Sequence, residues 1–175
     1  MADTTGKVHV YTGDGKGKTT ASLGLALRTL GAGGRVFYAQ FIKGPRGSSE
    51  FEALKRFGDS FVHRAFGAGR FVKGAPSEED VALARAGLAE TAEAMASGKY
   101  ALVVLDELNC AVSAGLLDAE AAVAAIAARH PSTEVAVTGR GVPAEIAEMA
   151  DLISEVKMVK HYIDDGVKAR RGVEF

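Results

Sequence analysis

The sequence predicts an α/β protein in which helices cover both faces of a mostly parallel β-sheet. Segments of strand-like composition alternate with helical segments along the chain, and this order is typical of parallel sheets. Several strand segments, such as "ALVVL" at 101–105 and "VAV" at 135–137, place apolar residues on both faces. Strands of this kind are buried between two layers of helices, so we expect three layers.

Six segments have the strand-like composition or apolar run that a buried strand requires. They are "KVHVYTG" (7–13), "RVFYAQFI" (35–42), "SFVHRAF" (60–66), "KYALVVLDE" (99–107), "EVAVTG" (134–139) and "LISEVKMV" (152–159).

Helical segments fill most of the intervals between these strands. Gly31 is the expected stop of the first helix. Ser77 and Asp80 have the spacing of a capping box, while Asp118 is the expected cap of an Ala-rich helix that Pro131 closes. The predicted helices cover 18–31, 48–58, 77–97, 118–131 and 143–150.

The composition limits the class of protein. The chain has 175 residues, enough for one domain with a substantial core, and we expect a single domain spanning 1–175. The net charge of −1 argues against a general nucleic-acid or anionic-membrane binder, and no apolar run approaches the ~20 residues of a membrane span. A single cysteine, Cys110, excludes an intrachain disulfide, and no signal peptide begins the chain, which together predict a cytoplasmic protein.

The segment "GDGKGKTT" at 13–20 lies between a predicted strand and a predicted helix. A glycine-rich turn in this place points backbone N–H groups and the positive end of the helix toward an anion. Lys18 would reach the phosphates of a nucleotide, and the Thr19 hydroxyl would bind Mg²⁺ or Mn²⁺. The candidate ATP-binding residues are Gly13, Asp14, Gly15, Lys16, Gly17, Lys18, Thr19, Thr20 and Arg140.

This loop departs from the common phosphate-loop pattern G-x-x-x-x-G-K-[ST]. The first glycine of that pattern would fall on residue 12, which is Thr12, and glycine stands at 13 instead. The loop is either one residue short or begins differently, so it need not grip a triphosphate as a kinase or hydrolase does. The alternative is a flexible Gly-Lys turn without a ligand, but the order of strand, loop, Lys-Thr and helix argues against it.

Two acids, Asp106 and Glu107, end the strand "ALVVLD". An acid at this point of a phosphate-loop protein orients Mg²⁺ directly or through water. We expect Thr19, Asp106 and Glu107 to form the metal site, and the spacing leaves open which acid contacts the metal. The alternative is a solvated strand end whose acid caps a helix.

Polar or glycine-rich residues follow the ends of four predicted strands. Ligands of open α/β sheets bind beyond the carboxyl ends of the strands, so we expect these segments to meet at one edge. They are Gly13–Thr20, Gln40–Gly44, Asp106–Glu107 and Thr138–Gly141.

Several segments together resemble one family, the ATP:corrinoid adenosyltransferases of the CobA/CobO/BtuR type. They are "GDGKGKTT", "QFIKG" (40–44), "VVLDELN" (103–109), "VTGRG" (137–141) and the closing "VKHYIDDGVKARRGVEF" (159–175). The resemblance runs in order along nearly the whole chain and includes the glycine at 13. The expected fold is therefore three-layer, P-loop NTPase-like and RecA-like.

The resemblance implies a particular chemistry. The substrates are ATP and a reduced corrinoid, which is cobalamin, cobinamide or an a,c-diamide. Co(I) attacks the 5′ carbon of ATP, triphosphate leaves intact, and the nucleotide is held in a reversed sense. Lys18, Thr19 and Glu107 become the catalytic candidates. A reductase such as a flavoprotein supplies electrons, and a homodimer is expected.

The resemblance also implies an apolar loop under the corrin ring that displaces its lower ligand. The segment "FGAGRFVKGAP" (66–76) occupies that place, with Phe66 and Phe71 as the corrinoid-binding candidates. Family members often carry a Gly-Phe-Thr-Trp run here, whereas this chain has no Trp. Core packing of both phenylalanines is the alternative. The closing segment either folds over the nucleotide or is solvated surface.

Two rival functions remain at this point. One is a phosphate-loop kinase or NTPase that acts at the γ-phosphate. The other is a carrier that binds ATP or a corrinoid without chemistry.

Overall fold

The computed structural model of the 175-residue chain describes residues 5–42, 44, 49–68 and 74–174. Six strands form one sheet in the order β3-β2-β4-β5-β1-β6, and all five neighbouring pairs are parallel. The carboxyl ends of all six strands therefore lie at one edge of the sheet. The strands are β1 (Val8–Thr12), β2 (Val36–Gln40), β3 (Phe61–Ala65), β4 (Leu102–Asp106), β5 (Glu134–Thr138) and β6 (Leu152–Glu155).

Six α-helices accompany these strands within the described ranges. A 3₁₀ helix, Lys55–Ser60, follows the second of them. The α-helices are α1 (Lys18–Gly31), α2 (Ser49–Leu54), α3 (Glu78–Ala96), α4 (Leu108–Ser113), α5 (Ala119–Ala127) and α6 (Ala144–Met149).

Two apolar clusters, one on each face of the sheet, pack helices against the strands and so produce a three-layer arrangement. Side chains alternate along each strand: Val103 and Leu105 of β4 enter one cluster, and Leu102 and Val104 enter the other. The first cluster also holds residues of α3, α4, α5 and α6, while the second holds residues of α1 and α2. This arrangement confirms the predicted three-layer α/β fold.

Most local predictions agree with the structure. The predicted helix 48–58 is instead α2 followed by the 3₁₀ helix, and the predicted helix 118–131 ends at Ala127 rather than at Pro131. Ser77 and Asp80 form the predicted capping box. Asp118 stands at the N-cap of α5, but its side chain makes no capping hydrogen bond. The last strand ends at Glu155 rather than at 159, and α4 was not predicted, because one and a half turns carry too little periodicity.

The edge strand β6 differs from the central strands. All four of its residues are exposed, whereas every residue of β2 and β4 is buried.

Among the described helices, none has both the length and the apolar character needed to cross a bilayer.

Candidate functional site

The loop between β1 and α1 lies at the carboxyl edge of the sheet. Gly13 and Gly17 take φ of 96° and 128°, a region that glycine enters without steric cost. Gly17 occupies the N-cap of α1, so the first free N–H groups of that helix follow directly after it. The loop thus has the backbone shape that an anion site requires.

The glycines of this loop are also required by close packing. The Gly15 N–H donates to the Val156 carbonyl at 2.7 Å, and the Val156 N–H donates to the Thr12 carbonyl at 2.8 Å. A Cβ on Gly15 would lie 2.8 Å from both the Val156 oxygen and the Lys157 carbonyl carbon. A Cβ on Gly13 would lie 2.5 Å from the Val156 oxygen. The chain that follows β6 therefore forms one wall of the loop.

The Lys18 side chain lies inside the loop and hydrogen-bonds to two of its carbonyls. Its side chain is buried, and its Nζ donates to the carbonyl of Gly13 at 2.6 Å and to that of Gly15 at 2.8 Å. Burial, and then the nearby Arg140 guanidinium, lower the pKa of Lys18, while Glu107 opposes this shift. A phosphate entering the loop would give the ammonium an anionic partner in place of two neutral carbonyls.

Asp106 is the centre of a buried hydrogen-bond network. It is 0% exposed. The hydroxyls of Thr19 and Thr138 donate to its Oδ1 at 3.0 and 2.7 Å, and Gln40 Nε2 donates to its Oδ2 at 3.0 Å. The network joins β2, β4 and β5 to the first turn of α1. Because β5 lies between β1 and β4, Thr138 stands directly between the loop and the acid.

The donor set fits a magnesium ion. Thr19 gives its hydroxyl proton to Asp106, which leaves the hydroxyl oxygen free to bind a cation. Both oxygens of Asp106 already accept hydrogen bonds, so this acid is suited to orient Thr19 or a metal-bound water. Glu107 is less buried and follows directly. No group of three or more His, Cys, Asp or Glu side chains suited to a metal occurs among the described residues.

Glu107 has an unusual backbone. Its φ of 62° is the only positive value at a non-glycine residue in the described part of the chain. The Glu107 N–H donates to the Thr138 hydroxyl at 2.9 Å, which fixes this turn at the start of α4. Such a conformation carries a steric cost and is concentrated at functional sites.

Cys110 and Arg140 border the same edge. The Arg140 N–H donates to the Cys110 sulfur at 3.3 Å, and its Nη2 donates to the Asp14 carbonyl of the loop at 3.2 Å. Burial and a hydrogen bond with Glu107 raise the pKa of Cys110 to about 12. A thiol with a raised pKa carries little of the reactive thiolate. Arg140 lies beside the loop.

The remaining candidates of the loop face outward. Asp14, Lys16 and Thr20 are exposed. Lys16 does not point at the carbonyls that Lys18 occupies, because its Nζ donates to the Val173 carbonyl of the closing segment at 3.1 Å.

The structure says less about the two corrinoid-binding candidates, Phe66 and Phe71, than about the loop. Phe66 follows β3, which is separated from β1 by three other strands, and its half-buried ring lies 5.9 Å from that of Phe41. A Cβ on Gly87 of α3 would overlap the Phe66 ring. These contacts favour core packing for this residue. Phe71 lies outside the described residues, as does Lys43 of "QFIKG".

Sequence reasoning missed two partners of the network. His63 had no predicted role, but its Nε2 lies 3.0 Å from Gln40 Oε1 and its ring stacks on Phe51 at 3.9 Å. Thr138 was expected only at the edge, and its bonds to Asp106 and Glu107 were not anticipated. Both contacts join separate strands, and no local motif marks such pairs.

The fold and the loop define a phosphate-loop protein with a three-layer, P-loop NTPase-like α/β fold. A similar fold occurs in the flagellar accessory protein FlaH from Methanocaldococcus jannaschii, with a TM-score of 0.54 and 13% identity over 86% of this chain and 71% of that chain.

The family model described as ATP:corrinoid adenosyltransferase BtuR/CobO/CobP matches residues 4–175. The corrinoid adenosyltransferase of Pseudomonas aeruginosa is 38% identical over 99% of this chain and 85% of that protein. The one from Escherichia coli K12 is 38% identical over 99% and 87%, and CobA of Salmonella typhimurium is 38% identical over 97% and 86%. The chain belongs to the ATP:corrinoid adenosyltransferase family and is an enzyme of that transferase class.

Proposed function

We propose that this protein transfers the 5′-deoxyadenosyl group of ATP to the Co(I) centre of a reduced corrinoid and releases intact triphosphate. The observation that carries the proposal is the family match over residues 4–175. The closed loop around Lys18 supports it, because the loop offers a cation and aligned N–H groups to a polyphosphate.

The reaction needs a stabilised leaving group and little proton transfer. The electron pair of Co(I) forms the new bond to C5′, and the pair of the breaking C5′–O bond leaves with triphosphate. Charge develops on the departing oxygen, so Lys18 and the N-terminus of α1 favour the transition state by electrostatic attraction. Arg140, whose side chain reaches the loop at Asp14, adds positive charge at the same edge.

The metal of the site is Mg²⁺ or Mn²⁺ in this proposal. Thr19 would hold it through its hydroxyl, while Asp106 and Glu107 would hold or orient it, directly or through water. When bound, the ion neutralises part of the triphosphate charge. Lys18, Thr19 and Glu107 are the catalytic residues we assign.

The corrinoid half of the site belongs to the proposal as well. Phe66 and Phe71 would border the corrin ring, with cobalamin, cobinamide or an a,c-diamide as substrate. An electron-donating reductase such as a flavoprotein, a cytoplasmic location, a homodimer and a single domain over 1–175 complete this proposal.

A second candidate function is NTP hydrolysis at the γ-phosphate. The adjacent acids Asp106 and Glu107 favour it, because one could orient Mg²⁺ while the other activates water. The two functions differ in product: adenosyl transfer leaves triphosphate, and hydrolysis leaves ADP and phosphate. A carrier would give neither product.

The test is an anaerobic assay with ATP, Mg²⁺ and chemically reduced corrinoid. Formation of a cobalt–carbon bond is followed by the absorption change, and the phosphorus product is identified by ³¹P NMR. Equimolar adenosylcorrinoid and triphosphate are expected. ADP with phosphate, or ATP binding without any product, would reject the proposal.

Lys18→Ala provides the matched test of the loop. We expect turnover to fall by about a hundredfold or more, as loss of a transition-state cation does, while circular dichroism stays unchanged. Lys99→Ala is the control, since Lys99 precedes β4 at the opposite edge of the sheet. Wild-type turnover in Lys18→Ala would refute the assigned role.

A further inference from the structure

Lys16 of the phosphate loop contacts the closing segment of the chain. The Lys16 Nζ donates to the Val173 carbonyl at 3.1 Å and lies 3.9 Å from Glu174 Oε1. Lys16 stands between Gly15 and Gly17, so a contact that holds its side chain also restrains the loop. The neighbouring Gly15 N–H donates to the Val156 carbonyl.

Glu174 is itself held by a compact cluster. The Arg170 N–H donates to Glu174 Oε2 at 2.7 Å, and the Arg170 guanidinium donates to both carboxylate oxygens at 3.3 Å. The Tyr162 hydroxyl bonds to Oε1, and the Arg170 guanidinium lies 5.1 Å from the Tyr162 ring. The Glu174 side chain is only 15% exposed, against 43% for Lys16.

These contacts give the carboxylate a fixed position and a fixed charge. The hydrogen bonds from Arg170, and then from Tyr162, lower the pKa of Glu174 to about 2. The side chain is therefore an anion at any pH at which the protein would be assayed. Charge-assisted bonds of this type are short and directional, and they orient the carboxylate toward the rim of the loop.

We propose that Glu174 is a positioning residue that acts through Lys16: it holds the Lys16 ammonium at the outer rim of the loop, where it strengthens binding of the ATP triphosphate. The inference rests on the proposed function, because it assumes that the loop binds the phosphates. Without the carboxylate, the Lys16 side chain keeps only its hydrogen bond to the Val173 carbonyl and is less ordered before ATP binds, so ordering it upon binding costs more conformational entropy.

The test is a double-mutant cycle on the full chain, with Mg²⁺-ATP binding measured by calorimetry. The variants are Glu174→Gln, Lys16→Met and the double substitution. We expect Glu174→Gln to raise the Kd about threefold to fivefold, the range of a partly exposed ion pair. In the Lys16→Met background, Glu174→Gln should change the Kd no further, because its partner is gone.

One control variant, together with the comparison of the two Lys16 backgrounds, separates this role from others. Glu148→Gln removes the same charge from the exposed face of α6, and a general charge effect would tighten ATP binding in both glutamine variants. A merely structural role of the tail would raise the Kd equally in both Lys16 backgrounds. Either result, or an unchanged Kd in Glu174→Gln, overturns the inference. Failure of the wild-type protein to bind ATP would instead reject the proposed function.

Discussion

The two edges of the sheet use carboxylates in opposite ways. At the carboxyl edge, Asp106 is fully buried and accepts three side-chain hydrogen bonds. At the amino edge, Glu134 accepts from the Lys7 N–H at 2.9 Å and lies 2.5 Å from His9 Nε2, with 31% of its side chain exposed. Asp151, 39% exposed, accepts from the Val8 N–H at 2.8 Å.

The comparison shows which carboxylates are buried with their partners and which remain accessible to water. At the amino edge, water can replace a lost partner, so the carboxylates there only fasten β1 to its neighbours. At the carboxyl edge, Gln40 and Thr138 are buried with Asp106, so water cannot readily replace the carboxylate as their acceptor. A buried network in which every oxygen of the acid is bonded is costly to alter, and it holds its members in place.

The largest expected effect is that of Asp106→Ala. Three donors would lose their acceptor inside the core, and we expect the free energy of unfolding to fall by about 3–5 kcal/mol. Urea denaturation followed by circular dichroism measures it. A loss under about 1 kcal/mol would place Asp106 in the same class as the exposed acids and remove the contrast between the edges.

Cys110 tests how strongly the carboxyl edge is desolvated. With its pKa raised to about 12 from 9.0, the thiol should carry almost no thiolate at pH 8, and reactivity should rise only as pH approaches the raised pKa. We expect iodoacetamide to react at least about a hundredfold more slowly than with the urea-unfolded chain. Equal rates in the folded and unfolded protein would mean that this edge is wetter than its hydrogen bonds indicate.

Gly15→Ala and Gly24→Ala form a matched pair. The first Cβ would meet Val156 and Lys157, whereas the second finds nothing within 4 Å on α1. We expect Gly15→Ala to destabilise the fold by about 1–3 kcal/mol and to weaken ATP binding, while Gly24→Ala stabilises it by up to ~1 kcal/mol. Thermal unfolding and ATP titration of both variants provide the measurement. Similar behaviour of the two would show that the wall beside the loop yields freely.

The smallest effect belongs to the amino edge. Glu134→Gln keeps a hydrogen-bond acceptor and loses only a partly exposed charge, so we expect a change below about 1 kcal/mol in stability and none in turnover. Denaturant titration and the adenosylation assay test this. A large loss of turnover would show that the two edges are energetically coupled through β1.

The sequence predicted the features of this molecule that depend on residues close together in the chain. Apolar runs located all six strands, and Gly17, Lys18 and Thr19 located the loop, because a phosphate site needs these residues side by side. The resemblance drawn from the motifs is confirmed by the family match. The α4 helix escaped prediction because its six residues carry too little periodicity, and the sequence does not mark the left-handed turn at Glu107 that precedes it.

Contacts between distant segments could not be predicted in the same way. Thr138 and His63 belong to strands whose order in the sheet is a tertiary fact, so their bonds to Asp106 and Gln40 have no sequence signal. The pairing of Lys16 with Glu174 likewise depends on where the tail folds. For Phe66 the structure favours core packing, while its role and that of Phe71 beside a corrin ring stay predictions.

The hydrogen bond between Gly15 and Val156 joins an early stretch of the chain to a late one. During synthesis the nascent loop leaves the ribosome long before its wall is translated. The loop that we propose as the phosphate site therefore gains its bond to Val156 only after β6 has docked. A polypeptide that ends before β6 would contain the whole glycine-rich segment without this wall.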